Sequence, residues 1–339
     1  MAAPIHSVTL LHRRAQLIAA KGAGHLGSVE AAEAGATLCA VSAEQIVTRD
    51  STGLRLMAVH AHPDDEASKG AATTARYRAE GAEVMVVTCT GGERGDVLND
   101  EAAADVERLG LAEVRRAEMA RSAAILDVHH AWLGFADSGF PQPDENGELP
   151  ALPPDCFAVV PIAESAPRLV AHLREFRPQV VTTYDERGGY PHPDHIRCHE
   201  VTMAAVAMAG DPHAHPELGP PWQVSKVYFN QQFSRARVEA LHLALIDADL
   251  ESPYHDWLDR WDRDPSGQRP ITTRVPAASW FSVRDAALLA HRTQIGPDSS
   301  WFAVPPAMHV SVWPTEDFEL ARSVVPVTLP EDDLFAGLR

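Results

Sequence analysis

The sequence predicts an α/β fold, a mostly parallel sheet flanked by helices. Three observations point to it. Apolar runs of strand length recur at residues 54–61, 82–90 and 178–185. Segments rich in helix-forming residues separate them, and each run ends in a loop of Gly, Pro, His or Asp.

Taken in chain order, residues 1–52 are rich in Ala and Gly without a sustained period, and read as an N-terminal extension, disordered or helical in part. The main domain spans 53–339, with a C-terminal elaboration from about residue 224. Its first strand, to Ala61, leads into an Ala-rich, proline-free helix over 66–80 that stops at Gly81. The second strand, 82–90, enters the loop Gly91-Gly-Glu-Arg-Gly95. That loop lacks the spacings of phosphate-binding loops and reads as a turn. Val106, Leu109, Val114, Ala117 and Ile125 mark a surface helix over 105–126, and Trp132–Phe135 a short strand. A Pro-rich loop at 141–155 precedes a helix over 162–175 and the strand 178–185. The elaboration then carries a strand at 225–230, a helix over 233–248, a loop over 251–270, a helix over 282–295 and an acidic tail after Pro314. No internal repeat is present.

Charge excludes some partners. With 29 Lys and Arg against 47 Asp and Glu, the net charge of -18 repels nucleic acid and anionic lipid. No run of about 18 apolar residues predicts a membrane span, and residues 12–20 are too short for a signal peptide. Cys39, Cys89, Cys156 and Cys198 are widely spaced, which fits reduced thiols in a cytoplasmic protein. Oligomeric state is not legible.

Two polar clusters sit at predicted strand ends: His60-Ala-His-Pro-Asp-Asp-Glu66 and Tyr190-Pro-His-Pro-Asp-His195. In an open α/β sheet the carboxyl ends of the strands line the ligand crevice, so clusters far apart in sequence can meet there. A catalytic zinc takes about three protein ligands and a water. His62 and Asp65, three apart across Pro63, with His195 make such a set. Zinc lowers the pKa of its water to about 7, and a neighbouring carboxylate, Asp64, can take the proton as the water attacks a carbonyl. His192 could act as acid on the leaving amine, Tyr190 could donate to the oxyanion, and Asp194 could orient a histidine.

Plainer readings compete. Asp64 or Asp65 could cap the helix near Glu66. His60 alternates with His62 on the strand and reads as a packed or supporting imidazole. The Asp211-Pro-His-Ala-His-Pro216 run reads as a solvated loop, and Cys89 and Cys198 as packing.

On these residues the chain resembles the LmbE-like zinc N-deacetylases, over the span from about Leu54 onward. The segments His62–Gly70, Thr88–Gly95, Phe135–Gly139, Gly188–His195 and Leu329–Leu338 are most similar to the branch of amidases acting on mycothiol S-conjugates. The resemblance implies a Rossmann-like fold and one Zn2+ on His62, Asp65 and His195, with ferrous iron as a competitor. It also implies a base at Asp64, an acid at His192 and oxyanion help from Tyr190. By the same resemblance, Arg94 and Asp137 hold the glucosamine-inositol part of the substrate, and Lys69 marks the amidase branch. The implied reaction releases a mercapturic acid and glucosaminyl-inositol from a small-molecule thiol S-conjugate. Rivals are a deacetylase of N-acetylglucosaminyl-inositol, an amidase for a mycothiol adduct in secondary metabolism, and a non-catalytic sugar-binding module. Residues 1–52 fall outside the family pattern.

Overall fold

A computed structural model describes residues 49–263 and 268–339. The remainder of the N-terminal extension, Cys39 and part of the loop expected at 251–270 lie outside the described residues. Those described from 49 onward pack on the domain: Arg49 donates to Asp332, and Ser51 to Glu80.

Seven strands form one sheet among the described residues, in the spatial order His129–Phe135, Glu83–Thr90, Arg55–His60, Val180–Thr183, Lys226–Asn230, Thr315–Ser323 and Thr273–Pro276. The parallel part comprises β1 (Arg55–His60), β2 (Glu83–Thr90), β3 (His129–Phe135), β4 (Val180–Thr183) and β5 (Lys226–Asn230). At one edge β6 (Thr273–Pro276) and β7 (Thr315–Ser323) run antiparallel to their neighbours. Helices cover both faces of the central strands, which is why β1, β2 and β4 are near-continuous apolar runs and not alternating ones. The chain winds outward from β1 to β3 and then returns to place β4 on the other side of β1. That reversal opens a crevice where the loops after β1 and β4 part.

The helix expected over 66–80 is two: α1 (Asp65–Ser68) and α2 (Ala71–Ala79). Gly70 separates them at φ +86°, a conformation an L side chain resists. The helix expected over 105–126 likewise divides into α3 (Ala103–Leu109) and α4 (Leu111–Leu126) at Gly110. Helix α5 (Ile162–Phe176) follows expectation, with Leu169, Val170 and Leu173 in the core against β1 and β4.

Beside it lies α6 (Pro193–Gly210), which sequence reading did not foresee. Its start is the second polar cluster itself: Pro193 occupies the first turn, and the His192 ring accepts the Asp194 N–H at 3.1 Å. The elaboration supplies α7 (Arg235–Asp247), α8 (His255–Arg263) inside the stretch read as a loop, α9 (Phe281–Ala290) and α10 (Pro306–Val312). The acidic tail is strand β7 and a closing segment locked by the buried Lys226–Glu331 pair at 2.5 Å. A strand whose partners, β5 and β6, come from distant segments carries little local signal, so it reads as a tail. No helix among the described residues is long and apolar enough to cross a membrane.

Candidate metal centre

The turn leaving β1 folds the Asp65 carboxylate back over its own backbone. Asp65 Oδ2 accepts the His62 N–H at 3.0 Å and the Tyr184 hydroxyl at 2.6 Å, while Oδ1 accepts Lys69 Nζ at 2.5 Å. From across the crevice, the first turn of α6 presents His195. Its Nδ1–H donates to Gly188 O at 2.9 Å, which leaves Nε2 with a free lone pair. Gly188 has to be glycine: it sits at φ +74°, and a Cβ there would lie 2.6 Å from the His195 Cβ.

His62, Asp65 and His195 each bring a ligand atom within 4.8 Å of the others, and all three are buried. His195 Nε2 is buried without a hydrogen-bond partner, an arrangement that costs free energy unless a cation or donor completes it. The residues therefore fit a divalent metal bound by N and O ligands. His62, His192 and Asp194 also cluster, but His192 Nδ1 is already committed to the Asp194 N–H.

Asp194 supports His62 from the side: its Oδ2 lies 3.1 Å from His62 Nε2 and accepts the Ser138 N–H at 2.8 Å. Asp137 Oδ1 lies 3.5 Å from the same Nε2. With Nε2 occupied, Nδ1, 3.6 Å from Asp65 Oδ2, is the nitrogen left for a cation. Electrostatics follow the carboxylates. Burial works against charge on His62, but Asp137 and Asp194 outweigh it and raise the imidazole to about 10. Burial also opposes ionisation of Asp65, yet Lys69, His195 and His62 hold its carboxyl well below the usual range. Burial, helped by the Lys69 and His62 charges and opposed by Asp65, pushes His195 down to about 3.

Asp64 stands at the head of α1 at φ +104°, and its side chain makes no cap bond, so the capping reading is not realised. Its Oδ2 accepts Arg115 Nη2 at 3.0 Å, and Arg115 also donates to Pro63 O at 2.6 Å and to Gly92 O at 2.8 Å. Burial raises the Asp64 carboxyl, against the opposing pull of Arg115. His192 is buried, stacks on Phe140 and is pushed down to about 2 by burial and then by the His62 and His195 rings. Tyr190 stands edge-on to His195 at 4.6 Å and is 40 % exposed.

The other candidates are placed as follows. Lys69 is tied to Asp65 and to Ser68 Oγ. Arg94 bonds the Asp137 carbonyl and, at 3.0 Å, Asp155. Asp137 is 2 % exposed and accepts the Arg94 and Gly139 N–H groups, so its carboxylate belongs structurally to the cluster around His62. His60 is buried edge-to-face with Tyr184 and takes no ligand position. His215 in the 211–216 loop pairs with Glu217 away from the site. Cys89 and Cys198 touch at 3.7 Å within the core. Sequence reading missed Tyr184 and Arg115. The first had a signal, a phenol at the end of a strand that enters the second cluster; Arg115, on α4, had none.

A family profile described as PIG-L, GlcNAc-PI de-N-acetylase, matches residues 57–206, which contain both clusters. The chain is 56% identical to mycothiol S-conjugate amidase of Streptomyces coelicolor over 290 residues, covering 84% of this chain and 98% of that protein. The chain belongs to this LmbE-like (PIG-L) family. A second relative of the family is 1D-myo-inositol 2-acetamido-2-deoxy-alpha-D-glucopyranoside deacetylase of Nocardioides sp. It is 38% identical over 306 residues, covering 84% of this chain and 98% of that protein. Among solved structures, N,N'-diacetylchitobiose deacetylase from Pyrococcus horikoshii superposes with a TM-score of 0.53 at 19% identity, over 78% of this chain and 83% of that one. Protein TT1542 from Thermus thermophilus superposes with a TM-score of 0.52 at 24% identity, over 81% and 97%. These two show the family's α/β fold.

Proposed function

We propose that this chain is a metal-dependent amidase. It hydrolyses the amide joining an S-conjugated N-acetylcysteinyl group to glucosaminyl-inositol, releasing a mercapturic acid and the amino sugar in thiol-dependent detoxification. The observation that carries this reading is the 56% identity to the Streptomyces coelicolor amidase along nearly its whole length, against 38% for the Nocardioides deacetylase.

His62 through Nδ1, Asp65 and His195 through Nε2 hold the metal, which we take to be Zn2+, with ferrous iron able to compete for the same N and O donors. When bound, it supplies Lewis acidity toward the amide carbonyl and toward a water. Asp64 takes the proton from that water: burial makes its carboxylate more basic than usual, and Arg115 keeps one oxygen oriented. His192 accepts the Asp194 N–H at Nδ1, so its one ring proton sits on Nε2 and is offered as a hydrogen bond to the leaving amine, which takes up the proton that Asp64 removed from the water. The Tyr190 hydroxyl donates to the oxyanion. Asp194 keeps the His62 ring oriented. We assign Arg94 to recognition of the glucosaminyl-inositol part, supported by its one-third-exposed side chain, with the buried Asp137 acting through the Arg94 backbone N–H that it accepts. Lys69, beside Asp65, is assigned to the acyl side. A cytoplasmic setting fits the free thiols Cys89, Cys156 and Cys198.

Deacetylation of N-acetylglucosaminyl-inositol is the second reading, favoured by the deacetylase relatives. Metal-loaded protein is incubated separately with a mycothiol S-conjugate and with N-acetylglucosaminyl-inositol. The mercapturic acid is expected as the faster product; acetate as the dominant product replaces the amidase reading with the second.

A further inference from the structure

Glu66 follows the ligand Asp65 and has no part in the chemistry above, yet it is 2 % exposed and both its oxygens are hydrogen-bonded. Oε2 accepts the Asp64 backbone N–H at 3.0 Å. Oε1 accepts Ser122 Oγ, from α4, at 2.5 Å and bonds His291 Nε2 at 2.6 Å. His291 follows α9 in the C-terminal elaboration, is fully buried and lies 225 residues from Glu66 in sequence.

The group at the end of this chain of bonds is strained. Asp64 holds φ +104°, and a non-glycine residue keeps a left-handed backbone only where its surroundings enforce it. Its carbonyl is held by two N–H groups of α1, Ala67 at 3.1 Å and Ser68 at 3.0 Å. Its N–H is held by Glu66, and the Glu66 carboxylate is itself clamped by two donors from other elements. Arg115 secures the side chain of Asp64; it does not hold the N–H.

We propose that Glu66 and His291 are positioning residues that keep the strained Asp64 backbone in place, so that an element from the far end of the chain sets the geometry of the catalytic base. His291 bonds Glu66, Glu66 bonds the Asp64 N–H, and the Asp64 carboxylate is thereby held beside the metal ligands. This rests on Asp64 being the base.

The test is a double-mutant cycle on the full metal-loaded chain, reading kcat, KM and bound metal. His291→Leu removes the donor, Glu66→Gln alters the clamp at constant volume, and His291→Gln keeps an N–H donor. Misplacing a catalytic group by about 1 Å costs roughly 100-fold, so kcat is expected to fall about 10- to 100-fold in the first two variants. KM should stay within about threefold and metal content should be unchanged. His291→Gln should recover most of the loss. In an Asp64→Asn background neither change should reduce kcat further, because residues acting through one group do not add. A wild-type kcat in His291→Leu, or a loss that multiplies with that of Asp64→Asn, overturns the proposal. Undiminished turnover by Asp64→Asn alone overturns the base assignment instead. Should His291→Leu fail to fold, the isosteric Glu66→Gln carries the same cycle.

Discussion

Replacing Tyr184 with Phe removes one oxygen and nothing else, and its effect can be worked from two bonds. The hydroxyl donates to Asp65 Oδ2 at 2.6 Å and accepts the Ala61 N–H at 2.9 Å. The first bond orients a metal ligand. A hydrogen bond to a charged group contributes about 1.5–3 kcal/mol, which at about 1.4 kcal/mol per tenfold is roughly 10- to 150-fold in affinity. Groups that orient ligands from behind typically change metal affinity by about 10- to 100-fold, the same range. The second bond is structural. Without it the Ala61 N–H is buried unpaired, at about 1–3 kcal/mol of folding free energy whether or not metal is present. The variant should therefore bind metal about 10- to 100-fold more weakly in a chelator competition. Its metal-free form should unfold at lower denaturant, and its kcat at saturating metal should stay near wild type, because Asp64 and His192 are untouched. An unchanged metal affinity alongside reduced stability would refute the reasoning, and would make Tyr184 a core hydrogen bond only.

Further outcomes follow from the same geometry. His195→Ala deletes the ligand nitrogen that lacks a protein partner, and protein purified in the presence of zinc should carry well under one metal per chain by elemental analysis; full occupancy would remove His195 from the ligand set. His62 is raised from 6.5 to about 10, so in the metal-free fold it is protonated across neutral pH and a cation must displace that proton. Metal affinity should accordingly rise by up to about tenfold per pH unit between pH 7 and 9 and level off above 10, and a flat profile in a pH series of chelator competitions contradicts this. The same shift stabilises the metal-free fold fully below the unfolded value of 6.5, and that contribution is lost as pH rises through 10. Finally, Lys226→Met leaves Glu331 as an unpaired buried carboxylate beside Tyr228 and should lower the unfolding free energy by about 3–5 kcal/mol in denaturant titrations. A change under about 1 kcal/mol would show that Tyr228 and solvent suffice for Glu331.

Much of the fold was readable because its signals are local. Buried parallel strands announce themselves as continuous apolar runs, and β1, β2, β4 and β5 fell within two or three residues of their expected bounds. What failed was also local in cause. Gly70 and Gly110 were tolerable inside a helix by propensity, yet each adopts a positive φ that divides one expected helix in two. The start of α6 was hidden because Pro193 and His192 read as chemistry, although they also begin a helix. Strands β6 and β7 pair antiparallel, and they draw their stability from partners distant in the chain that a window of sequence does not contain.

The sequence by itself determined the chemistry on offer: His62, Asp64 and Asp65 on one turn, His192, Asp194 and His195 on another, each at the end of an apolar strand, because residue type and spacing are local properties. Tertiary structure decided how those groups are used. It turned His62 Nε2 toward Asp194 and Asp137, left His195 Nε2 free, set Tyr184 behind Asp65, and brought Arg115 to Asp64. It also joined Glu66 to His291 from the far end of the chain. Orientation, tautomer and charge depend on partners within about 3 Å, and those partners come from segments that only the folded chain brings together.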